Sequence, residues 1–367
     1  MADSQPTIYD VAKHAGVSIA TVSRALNSLS SVRPATRAKV VAAMEELEFV
    51  PNAVAQRLSK GKHWILGLVF THAPVDGSQL GVEEANLLYT DIVIRGAEAR
   101  AAALGYSLLL RSAVPSRPEG MTSLMNLTGT VDGLIVLDQI LSDTEANDLA
   151  RRIPLVLLAG RGDSTSAMTV RADNEHAMNS LAEHLVGVHG IERAGFVSGL
   201  DASPDSLARE VAFRTAIERL GGVVAYRDVL KADWTSGGGA AAMRQRMSLG
   251  APMPDVFACA NDQMAVGVIY ALGDAGLSVP GDIAVTGFDD ITLTRYFSPR
   301  LTTIRQSGNL LGEKAVDALV GALDGAASMT HSVVLPTQLV VRRSCGCVEE
   351  GATLEMAAGA VDGRGVG

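Results

Sequence analysis

Seven short apolar runs recur between residues 65 and 290 of this 367-residue chain, each just long enough for one buried strand. Amphipathic stretches such as DIVIRGAEARAAALG lie between them. This alternation predicts an open, mostly parallel α/β sheet that is built twice, giving two doubly wound subdomains that face a cleft. Ligands of such sheets bind beyond the carboxyl ends of the strands, so functional side chains are expected just after the apolar runs. The runs are ILGLVF, YSLLLRS, VDGLIVL, IPLVLLA, ERAGFVSG, PDVFACA and DIAVTGFDD.

The stretch TIYDVAKHAGVSIATVSRALN, residues 7–27, predicts two short helices that meet at one glycine. Thr7 and Asp10 form a capping-box pattern, apolar residues follow at helical spacing, and Gly16 ends the first helix. Ser18 is a suitable N-cap for the second helix, and Pro34 marks the start of a third. Two helices joined by a short glycine-containing turn form a helix–turn–helix, whose second helix fits the DNA major groove. Such pairs also occur in folds that never touch DNA.

The charge distribution separates this N-terminal segment from the remainder of the chain. Residues 1–62 carry eight Lys and Arg against five Asp and Glu, a net charge of +3, whereas the whole chain carries −9. A basic head on an acidic body is expected of a DNA-reading module attached to a sensor domain, because only the head has to meet phosphates. The aromatic content of 4% argues against an aromatic-rich RNA-binding surface.

Residues 49–62, FVPNAVAQRLSKGK, predict a helix of only two turns that begins near Pro51 and Asn52 and ends before Gly61. Val54 and Leu58 form its apolar pair. A helix this short is not stable alone in water, so it needs a partner.

Three stretches, TIYDVAKHAGVSIATVSRALN, VRPATRAKVVAAMEELEFVPN and VAQRLSKGK, resemble the DNA-binding head of the lactose-repressor (LacI/GalR) family of bacterial transcription regulators over about 60 residues. The resemblance implies double-stranded operator DNA as the partner, and a homodimer whose two hinge helices fold together on the minor groove. By position, Leu58 is the wedge that enters the central base step, and Ala55 lies beside it. An apolar side chain on a marginal helix suits this role, because new contacts offset the cost of unstacking the bases. Ser59 stands where some members carry a lysine.

The same resemblance places Ile19 and Ala20 where base edges are read, with Arg24 next on that face. Arg24 is the best bidentate donor available to a guanine. Further positions resemble phosphate contacts or hinge contacts, and among them Ser18 and Thr7 also fit plain capping roles. These further expected DNA contacts are Thr7, Tyr9, Ser18, Thr21, Ser23, Asn27, Ser31, Asn52, Ala55 and Leu58.

Residues 254–306 resemble the effector-binding body of the same family, which is similar to periplasmic sugar-binding proteins. The positions that match its pocket are Arg209, Trp234, Asn261 and Asp289. Their chemistry suits a polyol, because a guanidinium and a carboxylate pair with vicinal hydroxyls and an indole stacks on the apolar face of a sugar. Two alternatives stay open: Trp234 as a core residue, and Arg209 as a helix salt-bridge partner.

The first half of the body departs from the family pattern. After IPLVLL the chain has Ala159, where some members have an aspartate that reaches the ligand, and Arg161 follows two residues later. The loop at residues 71–89 is longer than usual, which makes His72 a further candidate for the pocket. We expect a mono- or oligosaccharide that induces release from the operator. A purine co-repressor is the alternative, since both ligand classes use an arginine and an aspartate.

The expected domain boundaries follow from these segments. Residues 1–50 form the all-α head, residues 51–62 the hinge helix, and residues 63–345 the α/β effector-binding core. Within the core, the first subdomain is expected to hold residues 63–165 and 292–325, and the second residues 166–291 and 326–345. Residues 346–367 are small and polar enough for a disordered tail. No long leucine heptad follows the core, which favours a dimer over a tetramer.

An enzyme on an α/β sheet and a sugar-binding protein without DNA function are the rival classes. SGGGA at residues 236–240 has neither GxGxxG spacing nor a Walker lysine, and the second class leaves the first 60 residues without a role. We expect no catalytic residue, no cofactor and no metal. The Cys345–Cys347 pair alone cannot supply four zinc ligands, and surface positions explain His184 and His189. Without a signal peptide or an apolar run of membrane-spanning length, a cytoplasmic location is expected.

Overall fold

The computed structural model describes residues 6–27, 32–49, 62–71, 87–113, 124–137, 140–160, 166–201, 203–325 and 332–348. The chain divides into two units between Trp64 and Ile65. Several predicted positions lie outside the described residues: Ser31, Asn52, Ala55, Leu58, His72, Arg161 and residues 349–367 of the expected tail.

Among the described residues, the N-terminal unit has three helices: α1 (Ile8–Ala15), α2 (Ile19–Asn27) and α3 (Pro34–Glu46). Asp10 Oδ2 accepts hydrogen bonds from the backbone N of Thr7 at 2.8 Å and from its Oγ1 at 2.6 Å. Val11, Val22 and Val40 are at most 1% exposed and bring one apolar side of each helix together. The predicted helix–turn–helix and its third helix are therefore confirmed.

Two six-stranded sheets form the second unit. The first sheet has the order β11-β5-β4-β3-β1-β2, and the second has the order β12-β10-β9-β8-β6-β7. Neighbouring strands are parallel, except for the antiparallel pair β10 and β12. The strands of the first sheet are β1 (Ile65–Thr71), β2 (Ser107–Ala113), β3 (Gly133–Leu137), β4 (Leu155–Leu158), β5 (Met168–Ala172) and β11 (Ser332–Leu335). Those of the second are β6 (Arg193–Ser198), β7 (Val223–Lys231), β8 (Val256–Cys259), β9 (Ala284–Asp289), β10 (Thr302–Gln306) and β12 (Thr337–Val340).

Helices cover these sheets, as the strand–helix alternation predicts. In the described segments they are α4 (Leu87–Ala103), α5 (Asp143–Ala150), α6 (Asn174–His189), α7 (Pro204–Arg219), α8 (Ser236–Ser248), α9 (Asp262–Asp274) and α10 (Gly308–Leu323), with a 3₁₀ turn at Thr292–Arg295. SGGGA opens α8, where the Thr235 side chain accepts a hydrogen bond from Gly238 N at 2.9 Å. This run is thus a helix start. In the part of the chain that the structure describes, no helix is long and apolar enough to cross a bilayer.

The predicted fold class, two doubly wound α/β subdomains, is confirmed, and the seven apolar runs coincide with β1 to β4, β6, β8 and β9. The other five strands were not predicted: polar side chains such as Arg171, Arg227 and Arg305 interrupt the apolar pattern of β5, β7 and β10, and β11 and β12 are only four residues long.

The predicted subdomain boundaries are wrong at three strands. β5 and β11 belong to the first sheet, although residues 166–291 and 326–345 were assigned to the second subdomain. β10 belongs to the second sheet, although residues 292–325 were assigned to the first. A buried-strand pattern predicts that a segment forms a strand, but it does not tell which sheet the strand joins. The crossover connections set the hydrogen-bond partners of the strand.

The expected tail also begins too early. Cys347 packs against the core of the second subdomain, and Gly346 N donates to Arg343 O at 3.0 Å, so residues 346–348 are part of the folded unit.

Candidate functional site

Helix α2 presents an exposed face opposite its buried side. Ile19 is 41% exposed, Ala20 and Arg24 are also exposed, and Val22 points into the small core. Arg24 Nε donates to the carbonyl of Ala20 at 3.2 Å, which folds the side chain along the helix. A face of small and apolar residues with one arginine has the size and chemistry to enter a major groove.

Local capping accounts for two of the expected phosphate contacts. Ser18 Oγ accepts a hydrogen bond from Thr21 N at 3.1 Å and lies 2.8 Å from Thr21 Oγ1. Thr7 is engaged with Asp10 as described above. Tyr9, by contrast, is 67% exposed, Ser23 is half-buried, and the Asn27 backbone closes α2.

A cleft between the two subdomains brings together all four predicted effector residues that the structure describes. Arg209, Trp234, Asn261 and Asp289 line it, and it encloses about 870 Å³ of space free of protein atoms, open solvent included. Both sheets contribute, because the ends of β1, β3 and β4 face the ends of β9 and β10 across it. Trp234, Asn261 and Asp289 follow or end strands of the second sheet, as the strand-end expectation predicts for residues that line the cleft.

Arg209 is held rigidly on α7. Its Nε donates to Asn174 Oδ1 at 2.9 Å, its Nη1 to the Ala260 carbonyl at 2.7 Å and its Nη2 to Asp205 Oδ2 at 3.2 Å. The guanidinium also lies 3.6 Å from the ring centroid of Phe288, and the residue is only 3% exposed. Arg209 therefore does form the helix salt bridge that was its alternative interpretation. The pair with Asp205 holds the positive charge of the guanidinium in the cleft wall.

Asp289 ends β9 with a left-handed φ of 116°. Gln306 Nε2 donates to its Oδ1 at 2.6 Å. Burial raises the pKa of Asp289 to about 7, against the lowering effects of Arg209 and Gln306. The neighbouring carboxyl of Asp262 is also buried, and burial together with Asp289 raises its pKa. The cleft thus contains a carboxyl group that is only partly ionised at neutral pH.

Asn261 acts through its neighbours. Its Oδ1 accepts from Met264 N at 2.9 Å and caps α9, while its Nδ2 donates to the carbonyl of Trp234 at 3.0 Å. Trp234 has a φ of 73°, and its ring packs on Gly199, where a Cβ would lie 2.3 Å from Cε2. Asn261 therefore positions the indole, and Gly199 leaves the space for it.

Three buried polar atoms in the cleft wall have no hydrogen-bond partner among the described residues. They are Trp234 Nε1 and Arg171 Nε, which are donors, and Gln306 Oε1, which is an acceptor. Buried polar groups are nearly always paired, so an unpaired set of both kinds is an arrangement that a hydroxyl-rich ligand satisfies.

Sequence reasoning missed the other cleft residues, among them the polar residues Tyr89, Arg171, Asp205 and Gln306. Arg171 and Gln306 lie near the carboxyl ends of β5 and β10, so the strand-end rule identifies them once those strands are recognised. Asp205 lies four residues before Arg209, a helical ion-pair spacing. Tyr89 near the start of α4 carries no such signal.

The expectation that surface positions explain His184 and His189, and that no ligands converge on them, is wrong. His184 is only 6% exposed, and ligand atoms of His184, His189, Cys345 and Cys347 all lie within 4.8 Å of one another. Burial and the neighbouring His189 lower the pKa of His184 to about 4, and burial lowers that of His189. Both imidazoles are therefore neutral at pH 7.

Comparison with known proteins gives two family matches. A family profile described as bacterial regulatory proteins, lacI family, matches residues 7–52, and one described as periplasmic binding protein-like domain matches residues 182–345. The chain is 33% identical over 347 residues to the HTH-type transcriptional repressor PurR of Yersinia pestis (strain Pestoides F), covering 92% of this chain and 96% of that protein.

Two solved structures are similar along nearly the whole chain. The lac repressor dimer bound to operator and the anti-inducer ONPF has a TM-score of 0.79 at 29% identity, covering 93% of this chain and 99% of that chain. The complex of the transcriptional regulator CelR with cellobiose has a TM-score of 0.67 at 26% identity, covering 92% and 99%. These similar proteins are named as transcription regulators and not as enzymes.

Proposed function

The chain belongs to the LacI family of bacterial regulatory proteins, and on that basis we propose that it is a homodimeric repressor that binds operator DNA and is released by a saccharide. The proposal of a saccharide effector rests on the cleft, where Arg209, Asp289 and Trp234 meet beside unpaired donors and an acceptor. The proposal of operator binding rests on the exposed face of α2.

The head contributes the contacts that position and read DNA. Ile19, Ala20 and Arg24 read base edges from the exposed face of α2, and Arg24 donates to a guanine once it leaves the Ala20 carbonyl. One such helix buries little surface, so two heads in a two-fold dimer read a roughly palindromic site. The lac repressor structure, described as a dimer bound to operator, supports this arrangement.

The cleft favours a sugar because its polar groups are mixed in kind. A hydroxyl both donates and accepts, so neighbouring hydroxyls pair with the free donors on Trp234 and Arg171 and with the free acceptor on Gln306. Hydroxyl donors also stabilise the ionised form of Asp289, which burial disfavours. The indole supplies an apolar surface for a sugar face. The CelR complex, which is described as containing cellobiose, supports this class.

The switch follows from the position of the cleft between two subdomains. A ligand that closes the cleft changes how the first subdomains of a dimer are spaced, and the hinge at residues 51–62 joins that subdomain to the head. A differential affinity of about 1–3 kcal/mol weakens operator binding about 5- to 150-fold, and linkage makes the operator weaken sugar binding equally.

The test combines selection of operator fragments from a DNA pool with calorimetric titration of monosaccharides, disaccharides and purine bases. Each compound that binds is then added to a gel shift on the selected operator. We expect a saccharide to bind and to weaken the complex. Asp289→Ala is expected to abolish this response while operator affinity without ligand stays unchanged, and Asp274→Ala, an exposed residue outside the cleft, is the matched control.

Two results contradict the proposal in different ways. A purine that binds and tightens the operator complex, with no sugar binding, replaces saccharide induction by co-repression. Failure to enrich any sequence above random DNA removes the operator function and leaves a ligand-binding protein.

A further inference from the structure

Four potential metal ligands meet at one end of the second subdomain. Cys345 Sγ lies 3.5 Å from His184 Nε2, Cys347 Sγ lies 3.7 Å from the same nitrogen, and Cys347 Sγ lies 3.4 Å from His189 Nε2. Cys345 is 3% exposed and Cys347 is half-buried. None of the four residues lines the effector cleft.

These distances match the edges of a zinc tetrahedron. With Zn–S bonds of about 2.3 Å and Zn–N bonds of about 2.0–2.1 Å, tetrahedral angles put sulfur and nitrogen about 3.6 Å apart. The three sulfur–nitrogen distances, 3.5, 3.7 and 3.4 Å, fall around that value. Two thiolates and two imidazoles are also the donor set for which tetrahedral geometry selects zinc among the common divalent ions.

Local structure delivers each pair of ligands. His184 and His189 occupy the last turns of α6, and their ring centroids lie 5.1 Å apart at nearly right angles. Gly346 between the cysteines has a φ of 107°, a region that favours glycine, and a Cβ there would lie 3.4 Å from the His189 ring. The glycine thus lets the chain turn so that both sulfurs face the histidines.

A hydrogen bond supports one of the sulfurs. Thr302 Oγ1 donates to Cys345 Sγ at 3.1 Å and accepts from Arg342 N at 2.9 Å. A hydroxyl that donates to sulfur stabilises a thiolate, and such outer contacts orient the ligands of metal sites.

We propose that His184, His189, Cys345 and Cys347 bind one Zn²⁺ that fastens the segment after β12 to the end of α6. Binding releases the two thiol protons to solvent, the thiolates neutralise the dication, and the neutral imidazoles donate lone pairs. Four protein ligands fill the tetrahedron and leave no position for water, so the site is structural and not catalytic. The fastened segment follows β12, which pairs with β10, the strand whose end carries Gln306.

The test is the metal content of the full chain, purified without chelator and measured by inductively coupled plasma mass spectrometry. We expect about one zinc per chain in the wild type. Cys347→Ser, at the more exposed thiol, is expected to lose it. His176→Ala changes an exposed histidine on the same helix and Cys259→Ala changes a buried cysteine that is not part of the cluster, and both are expected to keep the zinc.

Two further measurements on the wild type do not depend on how the variants fold. Removal of the metal by a chelator is expected to lower the melting temperature, and added Zn²⁺ is expected to restore it. Cobalt(II) added to the metal-free protein is expected to give the visible bands of a tetrahedral site and a thiolate-to-cobalt charge-transfer band. Circular dichroism of each variant checks that it is folded.

Three outcomes overturn the assignment. One is wild-type protein that lacks stoichiometric metal and, in reduced form, binds neither Zn²⁺ nor Co²⁺. Another is metal content that Cys347→Ser and His176→Ala retain equally. The third is a Cys345–Cys347 disulfide found by peptide mass analysis in protein that takes up no metal once reduced. None of these outcomes bears on operator or effector binding, so this proposal and the proposed function fail separately.

Discussion

Asp289→Asn is expected to stabilise the ligand-free protein increasingly as pH rises from about 5 to about 8. The substitution keeps the shape of the side chain and an oxygen that accepts from Gln306 Nε2. Asparagine also tolerates the left-handed φ of 116° better than most residues do. What it removes is a carboxyl group whose ionised form the buried site disfavours, so the variant isolates the electrostatic cost of keeping this residue in the cleft.

The size and sign of the effect follow from proton linkage. Burial raises the pKa of Asp289 from 3.8 to about 7. Between those values the native state keeps a proton that the unfolded chain loses, so stability falls as pH rises through this window. About three pKa units correspond to an upper bound of about 4 kcal/mol. The side chain is half-buried at the cleft, where solvent screens part of this cost, and it interacts with the Asp262 carboxyl, so we expect about 1–2 kcal/mol between pH 5 and pH 8.

Urea denaturation of both proteins between about pH 5 and pH 8 measures the difference in unfolding free energy. Asp290→Asn is the control, because the adjacent carboxylate has the opposite environment. Although burial raises its pKa, the hydrogen bonds and charges of Arg342 and Arg305 outweigh this and lower it overall. The stability that ionised Asp290 contributes is present above the pKa of this group in the unfolded chain, and it is lost only as pH falls through the pKa in the folded protein. Asp290→Asn is therefore expected to destabilise the protein at neutral pH by about 3 kcal/mol.

A constant difference between wild type and Asp289→Asn across this pH range refutes the reasoning, since it means that Asp289 is ionised throughout. A variant that loses stability relative to wild type as pH rises refutes it more strongly. If the effect is confirmed, Asp289 lowers the stability of the ligand-free protein, and a bound ligand relieves this cost. Functional sites often contain groups that lower stability in this way.

Three further outcomes are expected. Arg24→Ala is expected to lose about 1–3 kcal/mol of operator-binding free energy per half-site and to relax the preference at one base position in a binding selection. Lys39→Ala, at another exposed residue, is the control. Uniform weakening at all bases reassigns Arg24 to the DNA phosphate backbone. Leu58→Ala is expected to reduce specific affinity sharply in gel shifts while salt-sensitive binding to random DNA persists, and equal losses on both exclude the wedge role. Gly199→Ala puts a Cβ 2.3 Å from the Trp234 ring, so calorimetry is expected to show weaker ligand binding while operator affinity stays unchanged. Unchanged ligand binding means that the indole is not part of the effector site.

The sequence by itself determined the features that depend on local chemistry. Thr7, Asp10 and Ser18 cap helices in the structure as their residue types predict. Six of the seven apolar runs became mostly buried parallel strands, because such strands need continuous apolar residues, which are visible in one dimension; the seventh, β2, is a largely exposed edge strand. Asp289 follows such a run, and its place in the cleft comes from the rule that strand ends of an open α/β sheet border the ligand site.

Only the tertiary structure decided which segments pair and which distant side chains meet. β5, β10 and β11 joined sheets that their own sequences do not specify, and with β5 and β10 came the cleft residues Arg171 and Gln306. The strongest case is the cluster of two histidines on α6 and two cysteines more than 150 residues later. Neither the two histidines nor the two cysteines supply four ligands by themselves. The fold brings the two pairs together because β12 lies beside α6 and the chain turns at Gly346. Spacing along the chain limits the ligands that one segment supplies, whereas packing sets which segments share a site.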